Sequence, residues 1–241
     1  MNFLFKEDTG RLVNANTEHY EIYYIYITSL LMEKKYRYLG HVLLLLFPLI
    51  FAGFYQTYFR NFPFADRITY FEHLHAFIAT VWVLLLVIQP ILIRNKNYRL
   101  HKKLGKFSYF VFTLLILSFV PQIIKVVKTE PLENLFFPLA DTCLLLTFYL
   151  LAIYYRRNIA KHMRYMIAGA LVLLGPTVGR MGPILFGWSG LLTQNIQYAI
   201  IYGILVGLLI YDGKKIKNNK PYVLAAIFFM LHQLVFYIMF L

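Results

Sequence analysis

FEHLHAFIATVWVLLLVIQPILI, residues 71–93, decides the class of this chain. Behind an opening glutamate and two histidines, the stretch from Ala76 to Ile88 carries no charge and one hydroxyl, that of Thr80. Its length falls within the roughly 17–25 residues that cross a hydrocarbon core about 30 Å thick. Apolar windows of similar length recur at 39–57, 72–93, 104–127, 135–155, 163–187, 191–211 and 222–240. The 241 residues are 60% hydrophobic and 15% charged, against about 45–50% and about 25% in soluble domains. The expected fold is therefore all-α: an integral membrane bundle of seven transmembrane helices.

The charges fall between the windows in an alternating pattern. Lys34, Lys35 and Arg37 precede the first window, and Arg94, Lys96, Arg99, Lys102 and Lys103 follow the second. Arg156, Arg157 and Lys161 follow the fourth, and Lys214, Lys215, Lys217 and Lys220 the sixth. The alternate connections are poorer in base and mixed in sign, with Arg60, Asp66 and Arg67, then Lys125, Lys128, Glu130 and Glu133. By the positive-inside rule the amino-terminus is cytoplasmic and the carboxy-terminus outside. The partners this implies are the lipid bilayer itself and anionic headgroups at the cytoplasmic basic loops. A multi-pass protein of the inner, plasma membrane follows. The net charge of +13 comes in bursts between apolar runs rather than as a basic stripe, which argues against nucleic acid as a partner. Cys143 is the single cysteine, so an intrachain disulfide is excluded.

Two regions divide the chain. Residues 38–241 form the seven-helix transmembrane domain, and residues 1–37 an amino-terminal segment, interfacial or disordered. The opening MNFLFKEDTGRLVNAN lacks the plan of a signal peptide, and EIYYIYITSLLM, residues 21–32, is short for a span. MEKKYRYLGHVLLLLF, from Met32, has the form of a membrane-protein opening, so Met32 stands as an alternative start. Gly175 with Gly179, and Gly203 with Gly207, are spaced for close helix packing. Pro176 and Pro183 should kink or break the fifth helix.

Polar side chains inside lipid are costly, so their placement is informative. On the expected topology His75, Gln122, Asp141, Arg180, Gln194 and His232 all fall in the outer half. His73 and His75 point about 200° apart on a helix. His75, Trp82 and Gln89 recur every seven residues and share a stripe, which makes His75 the inward histidine. A lone carboxylate such as Asp141 needs a partner, and Arg180 is the basic side chain at comparable depth; the pair reads as a structural ion pair or as a polar cavity with Gln122 and Gln194. His101 and His162 open the third and fifth helices at the cytoplasmic side.

The segments HAFIATVWVLLLVIQPILI, YRLHKKLGKFSY, PLADTCLLLTFYLLAIYYRR and AKHMRYMIAGALVLLGPTVGRM resemble a family of bacterial polytopic inner-membrane proteins of unknown function. The resemblance spans residues 70–185 and rests on His75, Gln89, Pro90, His101, Gly105, Asp141, His162, Arg164, Gly175, Pro176 and Arg180. A looser likeness is to b-type cytochromes of the ferric-reductase kind, although the repeated mid-helix histidine pairs of those proteins are missing. That likeness implies haem b as cofactor, with His75 and His232 as outer axial ligands, Arg180 near a propionate, and His101 and His162 at the cytoplasmic side. Electrons would come from a quinol or a redox partner, since no glycine-rich dinucleotide fingerprint occurs.

Three readings stay open at the level of sequence: a haem-binding redox protein, a small-solute or proton-coupled transporter built on Asp141 and Arg180, and a non-catalytic accessory subunit. No residue stands out as a hydrolytic nucleophile or metal-binding motif.

Overall fold

A computed structural model of the protein describes residues 4–6, 12–14, 34–62, 68–213 and 220–241. Asp66, Arg67, Lys214, Lys215, Lys217 and the apolar stretch 21–32 lie outside the described residues. Near the amino-terminus β1 (Leu4–Lys6) pairs antiparallel with β2 (Leu12–Asn14). All other regular structure described is helical.

The helices are α1 (Leu39–Leu43), α2 (Leu46–Phe54), α3 (Tyr70–Arg94), α4 (Tyr98–Thr129), α5 (Phe136–Tyr154), α6 (Ile159–Val172), α7 (Leu174–Phe186), α8 (Gly190–Asp212) and α9 (Lys220–Phe240). Short 3-10 turns occupy Phe59–Asn61 and Leu132–Leu135. Among the described residues six helical stretches are long and apolar enough to cross a membrane: α3, α4, α5 with its preceding turn, α6 continuing into α7, α8 and α9. The stretch Leu39–Phe54 is apolar but shorter. The count of spanning-length helices is thus six rather than the seven expected.

The first window falls short by length even when Leu39–Phe54 is taken across its own break; proline sets where the breaks fall. Its ring clashes with the carbonyl four residues upstream and its nitrogen has no hydrogen to donate. Pro48 aims that clash at Leu44, and the first window breaks at Leu44 and Leu45, between α1 and α2. Pro176 aims it at Val172, where α6 ends and α7 takes over through Leu173. Pro90, Pro121 and Pro183 sit inside continuous helices, so proline alone does not fix a break.

The residues that open FEHLHAF act locally. Thr69 caps α3 by accepting from the Glu72 N–H, and the Glu72 carboxylate accepts from the Thr69 N–H at 2.7 Å, a reciprocal capping box. Glu72 also pairs with Lys125 of α4 at 2.7 Å. His73 meets the Tyr58 hydroxyl at 2.8 Å, whereas His75 turns to Ser118 of α4 at the same distance. The 200° separation of the two histidines therefore sends them to different neighbours.

Consecutive helices pack as hairpins, α3 with α4 and α5 with α6, while α1 lies on α3 and α2 on α7. Phe112 and Tyr149 stack on each other with the Trp82 ring angled against both, and Phe148, Ala152 and Ala168 are fully buried. Two glycines let helix backbones cross closely. A Cβ on Gly53 would lie 2.8 Å from the Thr177 carbonyl oxygen, and one on Gly40 would lie 2.9 Å from that of Val87. Gly203 and Gly207, expected to serve the same purpose, face open space on α8.

Candidate functional site

Two buried polar clusters occupy opposite ends of the bundle. The end that carries Arg94, Arg156, Arg157, Lys161 and Lys220 is here called the basic end.

At the basic end Arg164 of α6 and Asp212 of α8 form an ion pair whose side chains are both wholly buried. Arg164 Nε donates to Asp212 Oδ2 at 2.7 Å, Nη2 lies equally close, and Nη1 donates to the Ala160 carbonyl at 2.8 Å. Tyr36, in the segment before α1, donates to Asp212 Oδ1 at 2.7 Å, and its oxygen is 3.2 Å from the Tyr222 hydroxyl. Burial first, then its neighbours Tyr222 and Asp212, push the Tyr36 hydroxyl pKa far up. Arg164 entered the sequence reading only through the resemblance, and Asp212, Tyr36 and Tyr222 were missed. Asp212 heads the basic stretch YDGKKIKNNK, and nothing in that stretch marks it as buried.

The histidines at this end are held locally. With its amide oriented to satisfy its neighbours, Gln89 donates to His101 Nδ1 and accepts from the Gly105 N–H at 2.9 Å. His162 Nδ1 lies 2.8 Å from the Ala152 carbonyl oxygen and so carries the proton of that bond. Gln89, His101 and Gly105, three positions of the family resemblance, thus meet in space.

The opposite half holds the second cluster. Asp141 lies on α5, about 8 Å along the helix from its first residue. His232 of α9 places Nε2 3.4 Å from Asp141 Oδ1, a close approach without hydrogen-bond geometry, since among the described residues that nitrogen has no hydrogen-bond partner. The other nitrogen, Nδ1, is 2.8 Å from the Tyr198 hydroxyl of α8. When the phenol donates, the ring's proton sits on Nε2 and faces the carboxylate. The Phe136 ring packs on His232 at 4.7 Å.

Helix α7 closes this cluster with glycine. A Cβ on Gly175 would lie 3.1 Å from Asp141 Oδ2, and one on Gly179 would lie 3.5 Å from Gln194 Nε2 and 3.6 Å from Gln197 Oε1. Spacing of four puts both glycines on one face of α7, so the carboxylate and the two amides line up along it. Gln194 and Gln197 are buried, and among the described residues the Oε1 atom of each lacks a partner. Their neighbours Asn195 and Gln233, by contrast, are knitted together through Tyr237.

Arg180 is not the ion-pair partner of Asp141. It donates from Nη1 to the Pro176 carbonyl at 2.8 Å and lays its guanidinium 4.5 Å from the centre of the Phe54 ring. Its charge still reaches Asp141 and Glu130. Gln122 lies one helical turn beyond Ser118 on α4, half-buried. The sequence-derived set therefore divides: Asp141, His232 and Gln194 converge, Arg180 borders them, and His75 is held at Ser118.

An axial haem ligand offers one ring nitrogen. His75 and His232 each have Nδ1 engaged by a hydroxyl, and His232 Nε2 faces Asp141. Among the described residues His75 keeps Nε2 without a hydrogen bond, whereas His232 Nε2 is occupied by its approach to Asp141.

The fold and these clusters define a polytopic helical membrane protein with a buried, partly unsatisfied polar site. No protein family, curated protein or solved structure matches the chain.

Proposed function

We propose that the protein is a proton-coupled transporter of a small polar solute, with its site in the outer half of the bundle. One observation carries this reading: among the described residues, Asp141 and His232 face each other without a hydrogen bond, beside Gln194 and Gln197 whose buried oxygens have no partner. Buried polar atoms are satisfied in the great majority of cases. Within a bilayer the penalty for leaving them bare is several kcal/mol each, about 2–7 by transfer measurements. Such a set is stable when water or a solute supplies the missing bonds, and a site that exchanges its occupant needs that property. The Tyr198–His232–Asp141 chain supplies a proton acceptor coupled to it, because adding a proton to the carboxylate removes its attraction for the Nε2–H.

The seven-span topology, amino-terminus in and carboxy-terminus out, belongs to this proposal. Gly40 lies against Ile91, and Tyr58 meets His73. The first segment, from α1 through α2 to Tyr58 just beyond it, therefore covers the same stretch of depth as α3 from residue 91 back to residue 73, about 27 Å at 1.5 Å per residue. That matches a hydrocarbon core of about 30 Å, which supports α1 and α2 together as the first span despite their break. The basic end then faces the cytoplasm.

Proteoliposomes loaded with a pH-sensitive dye test the reading against a panel of amino acids, carboxylates, amines and sugars. The wild type should move protons with one class, and Asp141→Asn should abolish that flux while eluting as a folded monodisperse protein. Silence across the whole panel removes the transport reading. An absorption spectrum of the same preparation, oxidised and dithionite-reduced after expression with haem supplied, then tests the redox alternative through His75→Ala.

A further inference from the structure

We propose that the basic end carries a site for an anionic phospholipid, built from Arg37, Tyr38, His41 and Arg94. The guanidinium groups of Arg37 and Arg94 each lie 4.8 Å from the centre of the one Tyr38 ring. They are consequently no further apart than those two distances together. Arg94 Nη1 also lies 3.3 and 3.2 Å from the two ring nitrogens of His41. Among the described residues the ion pairs engage Lys125, Arg164 and His232, so neither arginine has a carboxylate against it. Two guanidinium groups held within one Debye length, about 10 Å at 0.1 M salt, repel unless an anion joins them. A phosphate matches the need, because each planar fork takes two of its oxygens.

The structure fixes this arrangement rather than leaving it to loose side chains. Arg94 is the last residue of α3, and the chain turns at once into α4 through Lys96, whose φ of 57° is the left-handed conformation that non-glycine residues seldom adopt. Asn97 caps α4 on the far side of the turn by accepting from the Leu100 N–H. Gly40 then brings the first segment against Ile91 closely enough for Tyr38 to reach Arg94. All four residues of the cluster are exposed.

What lies beside the cluster selects lipid over free phosphate. Val42, Leu44 and Leu45, directly beyond it on the first segment, are 58%, 44% and 61% exposed. An aromatic ring with cations on it, set at the end of an exposed aliphatic strip, has the pattern of a membrane interface. A bound lipid would place its phosphate on the arginines and its acyl chains along those side chains.

Native mass spectrometry of the detergent-purified full-length protein, titrated with phosphatidylglycerol or phosphatidylcholine of identical chains, tests this. The wild type should take up phosphatidylglycerol at about tenfold lower concentration, the size of one charge-assisted interaction. Arg37→Gln with Arg94→Gln should lose that preference. Arg156→Gln with Arg157→Gln, which removes the same charge from the same end, should keep it. Equal loss in both double variants would reduce the effect to general charge and overturn the site. So would a preference unchanged in Arg37→Gln/Arg94→Gln, or displacement of the lipid by millimolar inorganic phosphate. Arg37→Lys with Arg94→Lys guards against misfolding: it keeps the charge without the forks, and an undiminished preference there would overturn the bidentate geometry.

Discussion

Replacing Asp212 by asparagine should destabilise the protein more than any other single isosteric change. The substitution keeps the shape and leaves an oxygen for Tyr36, yet it removes the charge that Arg164 meets through two contacts at 2.7 Å. Arg164 then stays wholly buried without its carboxylate, while Nη1 keeps the Ala160 carbonyl. Breaking a buried pair from one side costs about 3–5 kcal/mol, because the remaining charge has lost its counter-ion. At about 2–4 °C per kcal/mol for a chain of this size, the midpoint should fall by roughly 10 °C. Thermal unfolding in detergent, followed through the fluorescence of Trp82 and Trp188, measures it. Arg164→Met combined with Asp212→Leu should recover much of the loss, since removing both charges removes the desolvation penalty as well. A fall equivalent to less than about 1 kcal/mol for Asp212→Asn would refute the reasoning, because that is the range of an exposed pair.

Other consequences are independent of that pair. Gly53→Ala should cost about 1–3 kcal/mol by forcing α2 off the Thr177 backbone, whereas Gly203→Ala, facing open space, should be neutral or stabilising by up to about 1 kcal/mol; equal effects on the midpoint would contradict the packing. The raised pKa of the Tyr36 hydroxyl means that the folded state keeps a proton the unfolded state releases near pH 10. The stability it contributes is therefore complete below pH 10 and is lost as pH rises above it, and Tyr36→Phe should flatten that alkaline decline; an unchanged slope would place the titration elsewhere. A periplasmic reporter fused after Leu241 should be active, and silence there would return the count to six spans.

The apolar windows were legible because a helix that crosses lipid must satisfy its own backbone and shed its polar side chains along a continuous stretch, and both demands are written in local sequence. The same locality made the break before Pro176 readable. Pro48 shows where locality ends. It breaks the first window as Pro176 breaks the fifth, while Pro90, Pro121 and Pro183 do not break theirs, so the neighbours packed around each proline settle the matter.

What only the tertiary structure decided was pairing. Asp141 had Arg180 as its apparent partner by depth, yet depth fixes one coordinate out of three. The rotation of α7 turns Gly175 toward Asp141 and sends Arg180 to Phe54, which leaves His232 to face the carboxylate. Asp212, in a basic stretch that reads as a loop, finds Arg164 forty-eight positions earlier in the chain, and Tyr36 further still. The sequence by itself determined that polar groups would have to be placed within an apolar bundle. Which of them meet, and which remain unsatisfied, depends on helix rotation and crossing, and those follow from packing between residues distant in the chain.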